Sequence, residues 1–288
     1  MAYRVFTDSC SDLPKEYAIE RELSVIPLRF HMEGKDYLDD FGQSMSCKEF
    51  YGKLRAGATS TTTQINTEQF LQTFTPVLAA GEDVLYIAFS SALSGTYQSA
   101  NLAAEELRSQ FPDRTIAVVD SLCASMGQGL LVHHALDNRD KGMTLEQSVA
   151  WLEENKGKLC HWFTVYDLNH LRRGGRVSAA AAFLGTMLSI KPVLHVDDAG
   201  RLIPVEKVKG RARSIRALLD HMKATAIRPE EQVIFISHGD SEADARALAD
   251  SIRQQWNVKD IKIHTIGPVI GSHSGPDTIA LFFLGEPR

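Results

Sequence analysis

Hydroxyl groups crowd two stretches of this 288-residue chain: Ser90, Ser91, Ser94 and Thr96 surround Gly95, and residues 59–66 read Thr-Ser-Thr-Thr-Thr-Gln-Ile-Asn. Hydroxyls and backbone N–H groups are what an anion needs, above all where a strand turns into a helix and aims free N–H groups outward. The first stretch has that setting. Residues 84–88 are an apolar run that reads as a buried strand, and residues 100–107 read as a helix. Ser94 and Thr96 then offer hydroxyl donors, and Gly95 lets a ligand approach the backbone closely. The plainer reading is that Ser94 caps its helix. The second stretch reads as a hydroxyl-rich loop, poorer in Gly and Pro than a linker, with Thr62 and Thr63 ahead of a helix that Asn66 caps. Arg172, Arg173 and Arg176 lie in a basic, glycine-rich turn over residues 171–178. That turn either closes a carboxylate or phosphate site or is simply solvated. His273, in a Gly-flanked loop, is a donor to a ligand or the base that a Ser94 nucleophile would require.

Several chemistries are excluded or weakened by what is missing. The zinc-protease pattern His-Glu-x-x-His, the P-loop, Gly-x-Gly-x-x-Gly and Gly-x-Ser-x-Gly do not occur. No carboxylate stands out to orient His273, which counts against an esterase or acyl-transfer enzyme built on Ser94 and His273. A net charge of -5 argues against general nucleic-acid binding, and no recognition-helix signature is present. The local exception runs from Arg201 to Arg216, where Arg201, Lys207, Lys209, Arg211, Arg213 and Arg216 face only Glu206. It is either a patch for an acidic protein partner or a solvated helix face.

The elements that must position these residues follow from periodicity and punctuation. Residues 3–7 read as the first strand, with Asp8 and Ser9 at its carboxyl end, where open α/β sheets place ligands; Asp8 alternatively braces the turn. Residues 25–30 read as a second strand, and Ser46 opens a helix that stops at Gly57. Residues 115–121 form a third strand, again ending in Asp-Ser, and lead into a helix over 124–136. Repeated strand–helix units with polar strand ends predict a parallel, three-layer α/β domain. Beyond residue 160 the pattern changes. Strands at 160–165, 191–196, 202–205, 233–237, 261–263 and 279–283 alternate with helices at 179–190, 212–224 and 242–256, and a hairpin turn at 198–200 predicts a mixed sheet. The expected fold class is therefore α/β with two domains, 1–160 and 161–288, and a ligand at their interface. Hydrophobic content of 44% and charged content of 23% suit a soluble globular protein. The apolar run 179–190 is too short to span a bilayer. Cys10, Cys47, Cys123 and Cys160 are far apart, and with no signal peptide the expected setting is reducing and cytoplasmic.

Together these stretches resemble the DegV family of bacterial lipid-binding proteins, which includes the fatty-acid-binding subunits of the bacterial fatty-acid kinase system. The resemblance covers nearly the whole chain. It rests on Thr7-Asp8-Ser9 with Asp12-Leu13, on Ser90-Ser91-Ala92-Leu93-Ser94-Gly95-Thr96-Tyr97, on Asp120-Ser121, on Leu171-Arg172-Arg173-Gly174-Gly175-Arg176-Val177-Ser178, on Lys191-Pro192, and on Gly267-Pro268 with His273-Ser274-Gly275-Pro276. The resemblance implies a non-catalytic carrier that holds a long-chain fatty acid, such as palmitate or oleate, by its carboxylate. It also implies a partner kinase that makes the acyl-phosphate for phospholipid metabolism, and no cofactor or metal. The carboxylate-binding serine of the family matches Ser94, and the threonine of its Thr-Ser-Gln-Pro-Ser loop aligns with Thr62. This chain departs there: Thr63, Ile65 and Asn66 replace serine, proline and serine, and Asp277 replaces the last glycine of His-x-Gly-Pro-Gly. With Thr62 and Ser94 from the resemblance and the rest from the hydroxyl, glycine and basic residues read above, the expected ligand residues are Thr62, Thr63, Ser91, Ser94, Gly95, Arg173 and His273, and the basic patch gives Arg201, Lys207, Lys209 and Arg211 as the expected kinase-docking residues. The acyl tail is expected against apolar segments such as 179–190. The protein is not expected to be embedded in a membrane, though transient contact with a membrane surface is left open.

Overall fold

Strands and helices alternate through the first 155 residues of the computed structural model, which describes residues 3–177, 190–286 and 288. Strand β1 (Tyr3–Asp8) leads through a tight turn to α1 (Lys15–Glu20) and β2 (Ser24–Ile26). Then come β3 (Arg29–Met32), β4 (Lys35–Leu38), α2 (Cys47–Arg55), β5 (Ser60–Thr63) and α3 (Thr67–Ala79). This part closes with β6 (Asp83–Ala88), α4 (Thr96–Gln110), β7 (Ile116–Asp120), α5 (Met126–Asp140) and α6 (Leu145–Asn155). Four strands make a parallel sheet in the order β2-β1-β6-β7. Every residue of β6 is buried, as a central strand covered on both faces must be. Helices α3 and α4 pack together on one side, and α5 with α6 on the other.

Local chemistry sets the helix starts. Ser46 Oγ accepts the Glu49 N–H at 3.1 Å, and Asn66 with Gln69 forms a reciprocal capping box. Two strand expectations change. Residues 25–30 are not one strand: the chain leaves the parallel sheet at Pro27, which has no N–H to give, and β3 pairs elsewhere. Residues 59–66 are not a loop: Ser60–Thr63 is strand β5, antiparallel to β3, with Thr62 opposite Phe30. Threonine's branched Cβ favours that extended state. The result is a second, three-stranded sheet, β4-β3-β5, that the strand–helix pattern does not announce.

The remaining strands, β8 (Leu159–Thr164), β9 (Ile190–Val196), β10 (Leu202–Lys209), β11 (Val233–His238), β12 (Asp260–Thr265) and β13 (Ile279–Leu284), form one mixed sheet in the order β10-β9-β8-β13-β11-β12. Only β11 and β12 run parallel. The helices here are α7 (Asn169–Arg173), α8 (Arg211–Thr225), α9 (Glu242–Arg253) and α10 (Pro268–Ser274). The helix expected at 179–190 lies outside the described residues, except Ile190, which begins β9. Residues 267–276 are not the expected loop. Pro268 starts a helix where proline is tolerated, and Gly275 ends it at a φ of 80°.

Strand β13 shows how the core is divided. Ile279, Leu281 and Phe283 point to α8 and α9, while Ala280 and Phe282 point back toward the parallel sheet. Between the two sheets lies α5, whose Leu130, Leu131, Val132, Ala135 and Leu136 are all buried. Gln128, His133 and Asn138 are buried with them, and α5 contacts β1 and β6 on one flank and β8, β11 and β13 on the other. It sets the spacing of the two sheets, and the space beside its N-terminus holds the site.

Candidate functional site

A cavity of about 340 Å³ lies between the sheets. Its walls are mainly apolar: Phe89 and Leu93 follow β6, Phe163 comes from β8, Ala280 and Phe282 from β13, and Val269 and Ile270 from α10, with Ser125, His161, Ser274 and Thr278 among them. Its polar rim is Thr62, Thr63, Gln64, Ser94, Arg176 and His273. These rim residues come from four separate segments, and the fold explains their meeting. Strand β5 is the edge on which α10 packs, so Thr62 Oγ1 and His273 Nε2 share a hydrogen bond of 2.8 Å. The loop after β6 is tied down from below: buried Asp8 accepts the Phe89 N–H at 3.1 Å, the Tyr86 hydroxyl at 2.7 Å and the Gln128 amide at 3.1 Å. Asp8 thus braces the turn, the plainer of its two readings. Across the cavity, Ser90 Oγ donates to Gly200 O at 2.9 Å, which docks the β9–β10 hairpin onto the same loop.

Ser94 serves both the helix and the cavity. Its Oγ accepts the Thr96 N–H at 3.3 Å and lies 2.9 Å from Thr96 Oγ1, while the residue lines the cavity. Gly95 lies under Gln64: a Cβ there would stand 2.3 Å from Gln64 Oε1, so only glycine lets Gln64 reach Ser99 Oγ at 3.2 Å. Gln64, not singled out in the sequence, is therefore part of the rim; its signal was the Thr-Thr-Gln run. Arg176 Nε donates to Leu93 O at 3.2 Å and its guanidinium also reaches Gly174 O, which ties the basic turn to the Ser94 loop. Arg173 points elsewhere. It is exposed, bonds His170 Nδ1 at 3.1 Å, and lines an adjoining outer pocket of about 380 Å³. Thr62, Arg176 and His273 line both spaces and form the partition between them. Ser91 lines neither; it is exposed and its N–H donates to Asp120 Oδ1 at 3.1 Å.

Electrostatics favour an anionic head at this rim. Burial, with the Arg176 charge as a second cause, pushes His273 down to about 4, so the ring is neutral at pH 7. Its Nδ1 has no hydrogen-bond partner and faces Gly174, where a Cβ would stand only 2.1 Å away. A base in a Ser-His-acid triad needs an acid on that nitrogen. Hydroxyls, a neutral imidazole and one guanidinium can instead surround a carboxylate, with charge-assisted bonds in a dry setting. Among the described residues, no group of three or more His, Cys, Asp or Glu side chains converges as a metal site.

The basic patch is partly spent within the chain. Arg201 pairs with Asp197 and Arg211 with Asp244, each at 2.9 Å. Lys207 and Lys209 are exposed on β10, the edge strand of the mixed sheet. None of the four cysteines is in a disulfide. No helix among the described residues is long and apolar enough to cross a membrane.

Comparison with known proteins bears on this site. The family described as "Uncharacterised protein, DegV family" matches residues 2–286. A DegV domain-containing protein of Clostridium perfringens is 45% identical over 284 residues, covering 99% of this chain and 98% of that protein. A DegV family protein of Thermus thermophilus, described by its fatty-acid binding, superposes with a TM-score of 0.90 at 33% identity, covering 99% and 100% of the two chains. A DegV lipid-binding protein of Thermotoga maritima superposes with a TM-score of 0.88 at 30% identity, covering all of both.

Proposed function

The chain belongs to the DegV family, and from that premise we propose that it binds one long-chain fatty acid, carboxylate at the Thr62–Ser94–His273 rim and tail in the cavity between the sheets. The observation that carries this reading is the pairing of a polar rim with mainly apolar walls in one space. Each methylene moved from water into such walls contributes about 0.8 kcal/mol, so a long chain binds tightly with no catalytic group. Thr62, Thr63, Ser94 and His273 hold the head group, Arg176 supplies the positive charge, and Gly95 acts through Gln64. Ser91 stays outside this assignment because it faces away from the cavity. The unpartnered Nδ1 of His273 favours a carrier over an esterase.

The carrier presents its fatty acid to a separate kinase, which adds phosphate to the carboxylate. Arg173 and His170, across the partition from the rim, supply positive charge and donors where that phosphate would arrive. The exposed row of Arg201, Lys207 and Lys209, with Arg211 beside it, is the docking surface for this partner. We place the boundary between the two domains at residues 160 and 161, and four cysteines set far apart in the sequence support a reducing, cytoplasmic setting. Native mass spectrometry followed by solvent extraction tests the binding claim. A stoichiometric long-chain fatty acid, lost in Ser94→Ala or Thr62→Ala, is expected; a protein that is empty and takes up no added palmitate overturns it. Arg201→Glu with Lys209→Glu should abolish phosphorylation of the bound acid and spare binding; unchanged phosphorylation rules out the docking surface.

A further inference from the structure

A second polar space, separate from the fatty-acid rim but sharing a wall with its cavity through Ser125 and Val269, lies between the turn after β1, the segment ahead of α2 and the end of β12. It measures about 310 Å³. Its floor holds two carboxyl groups, Asp12 and Asp39, which are 5% and 8% exposed. They converge on Gly267: the point where a Cβ would sit there is 2.9 and 3.0 Å from the Asp39 oxygens and 3.1 Å from Asp12 Oδ1. Their donors are all neutral. Asp12 accepts the Gly267 N–H at 2.8 Å and the Ser125 hydroxyl at 2.5 Å, and Asp39 accepts the Val269 N–H at 3.3 Å. Among the described residues neither acid forms an ion pair with lysine or arginine. Two buried like charges without a cation are costly.

A second observation points to an occupant. Ser11 is 1% exposed, lines the same space, and its hydroxyl has no hydrogen-bond partner. Buried hydroxyls are normally satisfied. Among the described residues, no group of three or more His, Cys, Asp or Glu side chains converges here as a metal site. The remaining lining of the space is mixed: Ser9, Ser46, Thr265 and the charged Lys15 and Glu16 stand beside a few apolar residues. Leu13 and Val25 lie inside, and Phe41 stands at the rim, 40% exposed and held at a φ of 62°.

We infer that this space binds a small primary alkylammonium ion, its –NH₃⁺ between Asp12 and Asp39 and bonded to Ser11 Oγ, its alkyl part against Leu13, Val25 and the face of Phe41. Carboxylates and an aromatic face together are how proteins recognise organic cations. The remaining charged and titratable neighbours leave the space acidic. Lys15 and Glu16 at the rim offset each other; burial keeps His264 neutral and raises the Cys47 thiol to about 12. Burial raises Asp39 to about 7 and also raises Asp12, with Asp8 and Asp40 adding to the effect, so the empty pair holds protons near neutrality. An alkylammonium ion must displace them, and it binds better at pH 8 than at pH 6.

The test is calorimetric titration of the whole protein at pH 8 with n-butylammonium chloride, with 1-butanol and sodium chloride as controls. Saturable binding of the amine alone is expected. Ser11→Ala removes one bond to a charged group and should weaken binding by about tenfold; its palmitate uptake should be unchanged, because Ser11 is remote from the rim. Asp39→Asn should weaken it by about a hundredfold or more, with thermal melting to verify that the variant is folded. No saturable binding, an equal response to butanol or sodium chloride, or undiminished binding in Ser11→Ala and Asp39→Asn would each overturn the inference. None of these outcomes bears on fatty-acid binding.

Discussion

Replacing Gly174 by alanine isolates the contribution of His273 to the rim. Gly174 has a φ of -72° and a ψ of -11°, which alanine adopts without strain, so the backbone gives no reason for glycine here. The reason is His273. A methyl at 174 would stand 2.1 Å from Nδ1 and 3.0 Å from Cε1, whereas ordinary contact begins at 3.4 Å. The ring must retreat by the difference, 1.3 Å. Helix α10 cannot carry it away, because Gly275, which caps the same end of the helix, is packed against His170. A push on Nδ1 drives Nε2 toward Thr62, which already stands at 2.8 Å, so the ring can only swing out of its site, and the bond to Thr62 is lost. A carboxylate bound at the rim then loses one donor, worth about 1.5–3 kcal/mol for a charged acceptor. That corresponds to a Kd for palmitate raised about 12- to 140-fold. Displacement of a fluorescent fatty acid measures it. Gly157→Ala, with nothing within 4 Å of its new methyl, is the control and should change nothing. The decisive comparison is Gly174→Ala in a His273→Ala background, where the clash is gone and the substitution should cost nothing. An unchanged Kd in Gly174→Ala, or the same loss in both backgrounds, refutes the reasoning.

Other outcomes follow from the same geometry. Ala280→Phe fills the cavity wall opposite Phe163 and should shorten the longest acyl chain retained, as read by mass spectrometry of extracted lipid; retention of the same lipids means that the tail lies elsewhere. His273 should titrate near 4 by NMR in the ligand-free protein and move upward when a carboxylate binds. Because its folded pKa lies below the unfolded 6.5, the unfolded chain binds the proton more readily; stability is full above pH 6.5 and falls as pH drops toward 4. A midpoint near 6.5 with and without ligand contradicts the burial argument. Tyr86→Phe takes from buried Asp8 a donor at 2.7 Å and should cost about 1–3 kcal/mol, seen as a lower melting temperature; an unchanged melt would show that the Asp8 bonds do not hold the Ser94 loop.

Much of the architecture was legible because it is local. Unbroken apolar runs such as residues 84–88 mark central parallel strands, and the Ser46, Asn66 and Thr144 caps mark helix starts within a residue or so. The Asp198-Ala199-Gly200 turn announced the β9–β10 hairpin and, with it, a mixed sheet. Where the reading went astray, a tertiary partner made the choice. The threonine run 60–63 has no apolar alternation, and it is a strand only because β3 offers an edge 30 residues earlier in the chain. Residues 268–274 carry glycines and serines that suit a loop; they are helical because α2, β3 and β5 provide a seat for them. Arg173 and Arg176 are alike in sequence, but the short helix α7 turns one outward and the other to Leu93 O.

By itself, the sequence determined the ingredients of this protein: the alternation of strand and helix, the hydroxyls at strand ends, the caps, and the motifs that match its family. Each depends on the covalent chain within about one turn or one strand, where propensity and periodicity act. Which of those ingredients share a cavity was decided only by the tertiary structure. Thr62 and His273 are 211 residues apart, and Ser90 and Gly200 are 110 apart. They meet because α5 is buried between two sheets, and burying it brings the ends of both sheets around one space.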